Sequence, residues 1–317
     1  MNDVATKVIA VTGATGAQGG SLVRAILAHP DGGFSARAIT RDPNSDKAKA
    51  LAALGVEVVQ ADLDDEASLA AAFAGAYGAF CVTNFWEHFS PQKENEQAAN
   101  MARAAKAAGV AHVIWSTLED VRDWVPLSDD RMPTLQDKYK VPHFDGKGES
   151  NHYFSDAGVP VTFLNTSFYW ENMIYFGMGP KRGEDGVLAI TFPIGDKKLA
   201  GIAAGDIGGC AYGIFSNADT IGTTIGIAGG HLTGEDMAAG LSKALGEPVN
   251  YNAVSADLYR SFGFPAADEL GNMFQFNAEF SDEYCAARPL DATRALNPDL
   301  HTYDRWLEEN VASIPLD

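Results

Sequence analysis

Cysteine is scarce in this chain, and long apolar runs are missing from it. The three cysteines, Cys81, Cys210 and Cys285, are scattered over 317 residues, and none lies in a Cys-x-x-Cys or Cys/His spacing. An odd number at wide spacings predicts neither a disulfide framework nor a zinc site. No apolar run reaches about 18 residues, and the N-terminus lacks a basic-then-apolar leader pattern. We therefore expect a soluble, cytoplasmic protein without a metal centre.

Positive charge is also in short supply. The chain has 23 Lys and Arg residues against 42 Asp and Glu residues, a net charge of −19. A surface this acidic repels nucleic-acid backbones and anionic lipids, so we expect no direct binding to nucleic acid or membrane. The acidic net charge is still compatible with a local basic site that binds one nucleotide. The hydrophobic content of 46% is sufficient for a sizeable core and argues against disorder.

Apolar runs of strand length alternate with helical patterns through the first half of the chain. The strand-like runs lie at 7–12, 36–40, 56–59, 79–83, 113–116 and 159–164, and the helical patterns at 17–29, 46–54, 66–73, 94–108 and 147–157. This alternation predicts an α/β fold, a doubly wound parallel sheet of the Rossmann type with helices on both faces. Ligands of such sheets lie at the carboxyl ends of the strands. We assign residues 1–166 to this nucleotide-binding domain.

The second half of the chain, 167–317, is looser in pattern and rich in glycine and aromatic residues. Its helical patterns lie at 206–215, 234–245, 256–262 and 303–311, and its strand patterns at 223–227 and 249–254. We predict a smaller C-terminal α/β lobe over the mouth of the nucleotide fold, with the chain crossing between lobes more than once. The long connection 117–142 lacks periodicity and is predicted to be a lid or binding segment. Its apolar anchors would be Trp124 and Met132.

A glycine-rich loop joins the first strand to the first helix. Gly13, Gly16 and Gly19 form a G-x-x-G-x-x-G pattern. The first glycine permits a tight turn, the second lets the backbone approach a pyrophosphate, and the third lets helix and strand pack closely. The helix that follows directs its free N–H groups at the phosphates. The loop therefore predicts a dinucleotide site.

The end of the second strand reads Ile39-Thr40-Arg41. An NAD site usually has an acidic residue there, to accept from the ribose 2′-hydroxyl. Arg41 stands there instead, and a guanidinium suits a 2′-phosphate. The position favours NADP(H) over NAD(H), the alternative being a solvated surface arginine.

Two further strand ends supply candidates for the rest of the cofactor. Asp62, after the third strand, can accept from the adenine amino group while Leu63 packs on the ring. The alternative for Asp62 is a helix N-cap, a role for which the neighbouring aspartates compete. The end of the fourth strand would meet the ribose and nicotinamide through Thr83, Asn84 and Phe85.

Several motifs in combination resemble the NmrA-like family of atypical short-chain dehydrogenases, and in particular its NADPH-sensing members. The motifs are GATGAQGG (13–20), TRDP (40–43), ADLDD (61–65), VTNFWE (82–87), HFDGKGE (143–149), FYWEN (168–172), GFPAADELGNMFQF (263–276) and RWLEEN (305–310). The resemblance extends over nearly the whole chain. It implies a Rossmann domain, a smaller C-terminal lobe, and a cofactor in the cleft between them. One position departs from the sensor members, because Glu96 stands where they have a lysine, with Lys93 one turn earlier.

By position, the resemblance implies a set of NADP(H) contacts. They are Gly13, Ala14, Thr15, Gly16, Ala17, Gln18, Gly19, Arg41, Asp62, Leu63, Thr83, Asn84, Phe85, Lys147, Tyr169, Trp170, Glu171 and Asn172.

The Tyr-x-x-x-Lys motif of typical short-chain dehydrogenases is altered here. Lys147 is present and can bind ribose hydroxyls, but His143 stands four residues earlier in place of the tyrosine. An imidazole can act as a general acid near neutral pH. A structural role beside the cofactor is the alternative. Ser116, at the end of the fifth strand, is the candidate for the substrate-orienting hydroxyl, with an ordinary strand-end hydroxyl as its alternative.

Two functions stay open at this point. The first is a redox sensor or regulator that reads the NADPH/NADP⁺ ratio and passes it to a protein partner, since the usual tyrosine is absent. The second is an NADPH-dependent oxidoreductase that reduces a carbonyl, quinone or similar small molecule in the inter-lobe cleft, with His143 or water as proton donor. A homodimer is compatible with either function.

The substitution Arg41→Ala tests the choice of cofactor. We expect it to weaken NADPH binding much more than NADH binding, because only NADPH carries the 2′-phosphate. Titration of the purified variant with each cofactor measures both affinities. Equal losses for the two cofactors would contradict the assignment.

Overall fold

The structure is a computed structural model that describes residues 6–316. Its strands are β1 (Lys7–Val11), β2 (Phe34–Thr40), β3 (Glu57–Gln60), β4 (Gly78–Cys81), β5 (His112–Thr117), β6 (Val161–Asn165), β7 (Phe168–Tyr169), β8 (Lys181–Arg182), β9 (Leu188–Phe192), β10 (Leu199–Ile202), β11 (Thr224–Gly226), β12 (Gly230–Leu232) and β13 (Val249–Ala253).

The helices cover much of the remaining chain. They are α1 (Ala17–Ala28), α2 (Asp46–Ala53), α3 (Glu66–Phe73), α4 (Phe85–His88), α5 (Pro91–Ala108), α6 (Pro142–Glu149), α7 (Asn151–Ala157), α8 (Asn172–Tyr175), α9 (Ala204–Phe215), α10 (Gly234–Leu245), α11 (Ala256–Arg260), α12 (Ala267–Glu279), α13 (Ser281–Ala286), α14 (Leu290–Leu296) and α15 (Tyr303–Asn310). None of the helices between residues 6 and 316 combines the length and the apolar composition that a bilayer crossing requires.

The main sheet has seven strands in the order β11-β6-β5-β4-β1-β2-β3. All its neighbouring pairs are parallel, and β1 pairs with β2 on one side and β4 on the other. The strand order reverses at β1, which is the point where such sheets bind ligands. The predicted α/β class with a Rossmann-type parallel sheet is confirmed. The glycine loop begins at this reversal.

The two faces of the sheet are covered by different helices because alternate residues of a strand point to opposite sides. On one face Ile9 and Val11 are buried against residues of α1 and α9. On the other face Ala10 is buried against residues of α3 and α5. Helix α9 and strand β11 both follow residue 166. Even so, β11 is an edge strand of the main sheet and α9 packs on one of its faces. The chain therefore returns to the first sheet after it has left it.

The C-terminal lobe contains two three-stranded sheets, β12-β10-β7 and β13-β9-β8. Its core includes Trp170, Phe192, Phe274 and Trp306, which are almost fully buried. Helix α12 was not among the predicted elements. Gly271 and Asn272, two poor helix formers, lie in the middle of this helix. Glycine is needed at position 271, because a Cβ there would lie 2.4 Å from Arg260 Cγ. Close packing, rather than intrinsic helix preference, decides this segment.

Helix α6 corrects the predicted helix at 147–157. It begins at Pro142, five residues earlier, and Ser150 separates it from α7. Proline is well suited to the first position of a helix, where its missing N–H costs nothing. Glycine in this segment allows close packing, because a Cβ at Gly148 would lie 2.5 Å from the Asp120 nitrogen. His143 consequently lies in the first turn of α6.

The 117–142 connection is packed onto the molecule at several points. Val121, Val125 and Met132 are fully buried, while Trp124 is 39% exposed and packs edge-on against Phe276. The buried Asp145 carboxylate of α6 accepts hydrogen bonds from the backbone nitrogens at both ends of the connection, Val121, Lys140 and Val141. Burial raises the pKa of Asp145 to about 7. Of the two predicted anchors, Met132 is buried and Trp124 only partly so.

Two alanine substitutions on α9 test how closely it packs on α1. A Cβ at Gly208 would lie 2.1 Å from the Ser21 carbonyl carbon, whereas a Cβ at Gly205 meets nothing within 4 Å. We expect Gly208→Ala to destabilise the fold by about 1–3 kcal/mol or more, because the helices must separate. Gly205→Ala should be neutral or stabilise by up to about 1 kcal/mol. Thermal unfolding of both variants measures the difference, and equal effects would contradict the packing argument.

Candidate cofactor and active site

The glycine loop has the geometry that its pattern predicted. Gly13 has φ +59°, in the left-handed region, and its carbonyl accepts from the Gly16 nitrogen at 2.9 Å. A Cβ at Gly19 would lie 2.4 Å from the Thr12 carbonyl oxygen, so only glycine lets α1 approach β1 this closely. Gly16 caps α1 without a side-chain acceptor. The first N–H groups of α1 therefore face the loop ready for an anion.

A chain of polar side chains holds the loop against two strand ends. Ser116 Oγ donates to Gln18 Oε1 at 2.7 Å, and Gln18 Nε2 donates to Tyr169 Oη at 2.7 Å. Burial raises the pKa of Tyr169 to about 12, so this phenol stays protonated at neutral pH. The structure thus brings together three predicted site residues. The Ser116 hydroxyl is buried, and its proton is already donated to Gln18.

Lys147 lies at the carboxyl end of β4. Its Nζ donates to Thr83 Oγ1 at 2.6 Å and to the Thr83 carbonyl at 3.3 Å. Glu94 Oε2 lies 3.0 Å from the same Nζ and is completely buried. His88 Nε2 lies farther away, 3.9 Å from Glu94 Oε1, so the charge on Lys147 is the main compensation for this buried carboxylate. Sequence reasoning named Lys147 and Thr83 separately as cofactor contacts and missed Glu94.

His143 forms a buried pair with a residue of the C-terminal lobe. Glu269 Oε1 on α12 lies 2.7 Å from the His143 Nδ1 and accepts from the His143 backbone nitrogen at 2.7 Å. Since a carboxylate only accepts, Nδ1 carries the proton and Nε2 faces away from Glu269. Both side chains are more than nine-tenths buried. Sequence reasoning missed Glu269 as a site residue, although it lies in the ELGNMF segment that contributes to the family resemblance.

Aromatic side chains surround the imidazole. The Trp86 ring centroid lies 4.9 Å from that of His143, and the Phe85 centroid 5.8 Å from it. Phe89 and Phe176 pack against Trp86 at 5.8 Å and 6.2 Å and are about half exposed. The result is an apolar, aromatic surface that leads from solvent to His143. Only Phe85 of this group was a predicted cofactor contact.

The opposite end of the candidate site is rich in charge. The Arg41 guanidinium pairs with the Glu87 carboxylate through both nitrogens. Asp62 accepts from the Asp64 nitrogen at 3.0 Å, and it is Asp65 that caps α3. The alternative role of Asp62 as the helix cap is therefore excluded. Lys93 pairs with Asp64 at 2.9 Å and lies 3.7 Å from Glu96.

Trp170 and Glu171, two of the predicted cofactor contacts, have their side-chain partners in the second half of the chain. Trp170 is 1% exposed and packs against Tyr303 and Trp306. Glu171 accepts from the Ala204 nitrogen at 2.8 Å and from the Trp306 indole at 3.1 Å. Consecutive residues of an extended chain point to opposite sides, so Tyr169 faces Gln18 while Trp170 faces the other lobe's core. Asn172 begins the short helix α8 and is partly buried.

The remaining predicted contacts lie along this edge of the sheet. Ala14 is buried beneath the loop, while Thr15 and Ala17 are at least partly exposed on it. Leu63 is partly buried, and its carbonyl accepts from Asn100 at 2.8 Å. Asn84 is exposed and precedes α4. Within residues 6–316 no group of three or more acidic, histidine or cysteine side chains is arranged to hold a metal ion.

Removal of the Lys147 charge tests the buried ion pair. We expect Lys147→Met to destabilise the fold by about 3 kcal/mol, because it leaves Glu94 buried without compensation. The double variant Lys147→Met/Glu94→Gln should recover part of that loss. Denaturant-induced unfolding of the two variants checks this, and a double variant no more stable than the single one would argue against the pair.

The comparisons with known proteins agree with this geometry. The model of the NmrA-like family matches residues 5–307. The NmrA-like family domain-containing oxidoreductase FrzB of Cladobotryum sp is 29% identical, with 92% of this chain and 89% of that protein covered. Quinone oxidoreductase 2 of Escherichia coli is 31% identical, with 84% and 85% covered.

Solved structures give the same result. The crystal structure of NmrA, a negative transcriptional regulator, superposes with a TM-score of 0.78 at 25% identity, covering 96% of this chain and 95% of the other. That of an NADPH-dependent quinone oxidoreductase from Escherichia coli gives 0.72 at 26% identity, covering 96% and 99%. The name of the second protein states a dependence on NADPH, and NADP is the cofactor predicted for this chain. A family match over nearly the whole length and structural likeness of this extent lead to one conclusion: the chain belongs to the NmrA-like family.

Proposed function

We propose that this protein binds NADP(H) and uses NADPH to reduce a small, planar acceptor of the quinone or carbonyl type. The observation that carries the proposal is the His143–Glu269 pair, which lies one helical turn from Lys147 and opens onto an aromatic surface. The site thus has a proton donor, a ribose-binding cation and an apolar place for an acceptor close together.

The residues present fit the cofactor. A Cβ at Gly19 would collide with the backbone of the loop, and the N-terminal N–H groups of α1 face the same space, as a pyrophosphate site requires. Arg41 at the end of β2 suits a 2′-phosphate. Lys147 beside Thr83 suits the ribose hydroxyls of the nicotinamide half. The name of a relative of 26% identity, the NADPH-dependent quinone oxidoreductase, supports the same cofactor.

The chemistry divides between cofactor and protein. Bound NADPH supplies a hydride, which brings two electrons to the acceptor carbon or ring. A carbonyl oxygen that receives this electron pair must also take up a proton. The His143 imidazolium donates it from Nε2 and returns to neutral imidazole, which solvent then reprotonates. One hydride and one proton together reduce a carbonyl to an alcohol, and the same pair reduces a quinone to a hydroquinone.

Glu269 prepares His143 for this step in two ways. It fixes the tautomer by accepting from Nδ1–H, and it orients the ring so that Nε2 faces away from α12. The arrangement has the logic of a carboxylate that orients a catalytic histidine. Because Glu269 comes from the C-terminal lobe, the donor is complete only when the two lobes are packed together.

The aromatic surface favours an uncharged, flat acceptor. Trp86, Phe89 and Phe176 offer ring faces and edges but no charge, and aromatic rings stack well with planar ligands. The relationship to quinone oxidoreductase 2, at 31% identity, supports a quinone more than an aliphatic carbonyl.

A redox sensor is the second candidate. The observation that favours it is the exposure of Tyr175 (76%) and Phe176 (56%), which continue the aromatic surface to the outside of the molecule. Exposed aromatic residues are typical of surfaces that bind a protein partner. The likeness to NmrA, a negative transcriptional regulator, supports the same function.

Turnover of NADPH in the presence of a panel of quinones and carbonyls distinguishes the two. We expect the wild-type protein to consume NADPH with at least one quinone, and His143→Gln to lower kcat by about 10²- to 10⁴-fold while NADPH affinity is retained. His152→Gln, which removes an exposed histidine from the next helix, is the matched control and should be unaffected. Binding of NADPH without turnover of any acceptor would refute the reductase and favour the sensor.

A further inference from the structure

The Arg41–Glu87 ion pair extends across the mouth of the glycine loop. Arg41 follows β2, and Glu87 lies on α4, which follows β4. Strand β1, whose carboxyl end carries the loop, lies between β2 and β4 in the sheet. The pair therefore joins the two segments that flank the loop on either side, over the space where the adenosine half of a dinucleotide is expected.

The pair is two-pronged but exposed. One guanidinium nitrogen of Arg41 bonds Glu87 Oε1, and the other donates to Oε2 at 3.2 Å. The Arg41 side chain is 63% exposed and that of Glu87 47% exposed. Exposed pairs contribute little net stability, so a stronger anion can separate them. A fork of two N–H groups accepts a phosphate in the same way as it accepts a carboxylate.

Other carboxylates add to the negative field at Arg41. The hydrogen bond that Arg41 donates to Glu87 is the main cause that raises the pKa of Arg41, and the charges of Asp62 and Asp64 raise it further. Lys93, the other cation nearby, is engaged with Asp64. A 2′-phosphate at this end would thus meet one guanidinium among several carboxylates, and Glu87 is the one that occupies the guanidinium directly.

We infer that Glu87 is a specificity-determining residue that competes with the 2′-phosphate of NADP(H) for Arg41. The inference rests on the proposed binding of NADP(H). A phosphate monoester carries about −1.5 to −2 charges and three acceptor oxygens, so it displaces the single carboxylate. The 2′-hydroxyl of NAD(H) is neutral; it cannot displace Glu87 and can instead donate to it. Glu87 therefore makes the affinity difference between NADP(H) and NAD(H) smaller than it would be with Arg41 alone.

The competition has a clear signature in binding. We expect Glu87→Gln to tighten NADPH binding about two- to fivefold, the range of an exposed ion pair, and to leave NADH binding unchanged or slightly weaker. In the Arg41→Ala background, Glu87→Gln should increase the affinity for NADPH by a smaller factor, because the guanidinium for which Glu87 competes is absent. Glu57→Gln is the matched control, since Glu57 pairs with Arg37 at 2.8 Å on the opposite edge of the sheet.

Isothermal titration of each variant with NADPH and with NADH measures these constants without any acceptor. Equal changes for the two cofactors, no change for NADPH, a gain of the same size in Glu57→Gln, or an undiminished gain in the Arg41→Ala background would each overturn the inference. Absence of turnover with every acceptor would refute the proposed reduction and leave these binding constants interpretable. Failure to bind either cofactor would refute both.

Discussion

The hydrogen bonds that join β1 in parallel to β2 on one side and to β4 on the other determine the geometry of the whole candidate site. Parallel pairing places the carboxyl ends of these strands at one edge, so that Gly13, Arg41 and Thr83 come together although 70 positions separate the first from the last. The close approach of α1 at Gly19 then directs its N–H groups at the same edge. The other residues of the candidate site are positioned relative to these three strands.

The active end of the site depends on groups that are buried together. Lys147 and Glu94 form an ion pair beside Thr83, and His143 is hydrogen-bonded to Glu269 one turn away. Taking charged or strongly polar groups out of water is costly unless their partners are in place. The partners here come from α5 and α12, so the site assembles only when the Rossmann layers and the C-terminal lobe have both formed.

Sequence reasoning succeeded where a residue's position follows from its own element. The position of the glycine loop and the parallel sheet both follow from spacing and from the rule that the carboxyl ends of parallel strands meet at one edge. It did not predict the partners of Trp170 and Glu171, because adjacent residues after β7 point to different sides and no local pattern tells which residue points where. The start of α6 was missed because glycines needed for close packing resemble glycines that break helices.

By itself, the sequence determined the fold class, the dinucleotide loop and the presence of a histidine where dehydrogenases have a tyrosine. Periodicity and motif spacing are local properties, so they can be read along the chain. Only the tertiary structure decided what that histidine and Arg41 face: Glu269 lies 126 residues from one, and Glu87 lies 46 residues from the other. An acidic chain of this composition offers many carboxylates, and only packing selects the two that pair with this imidazole and this guanidinium.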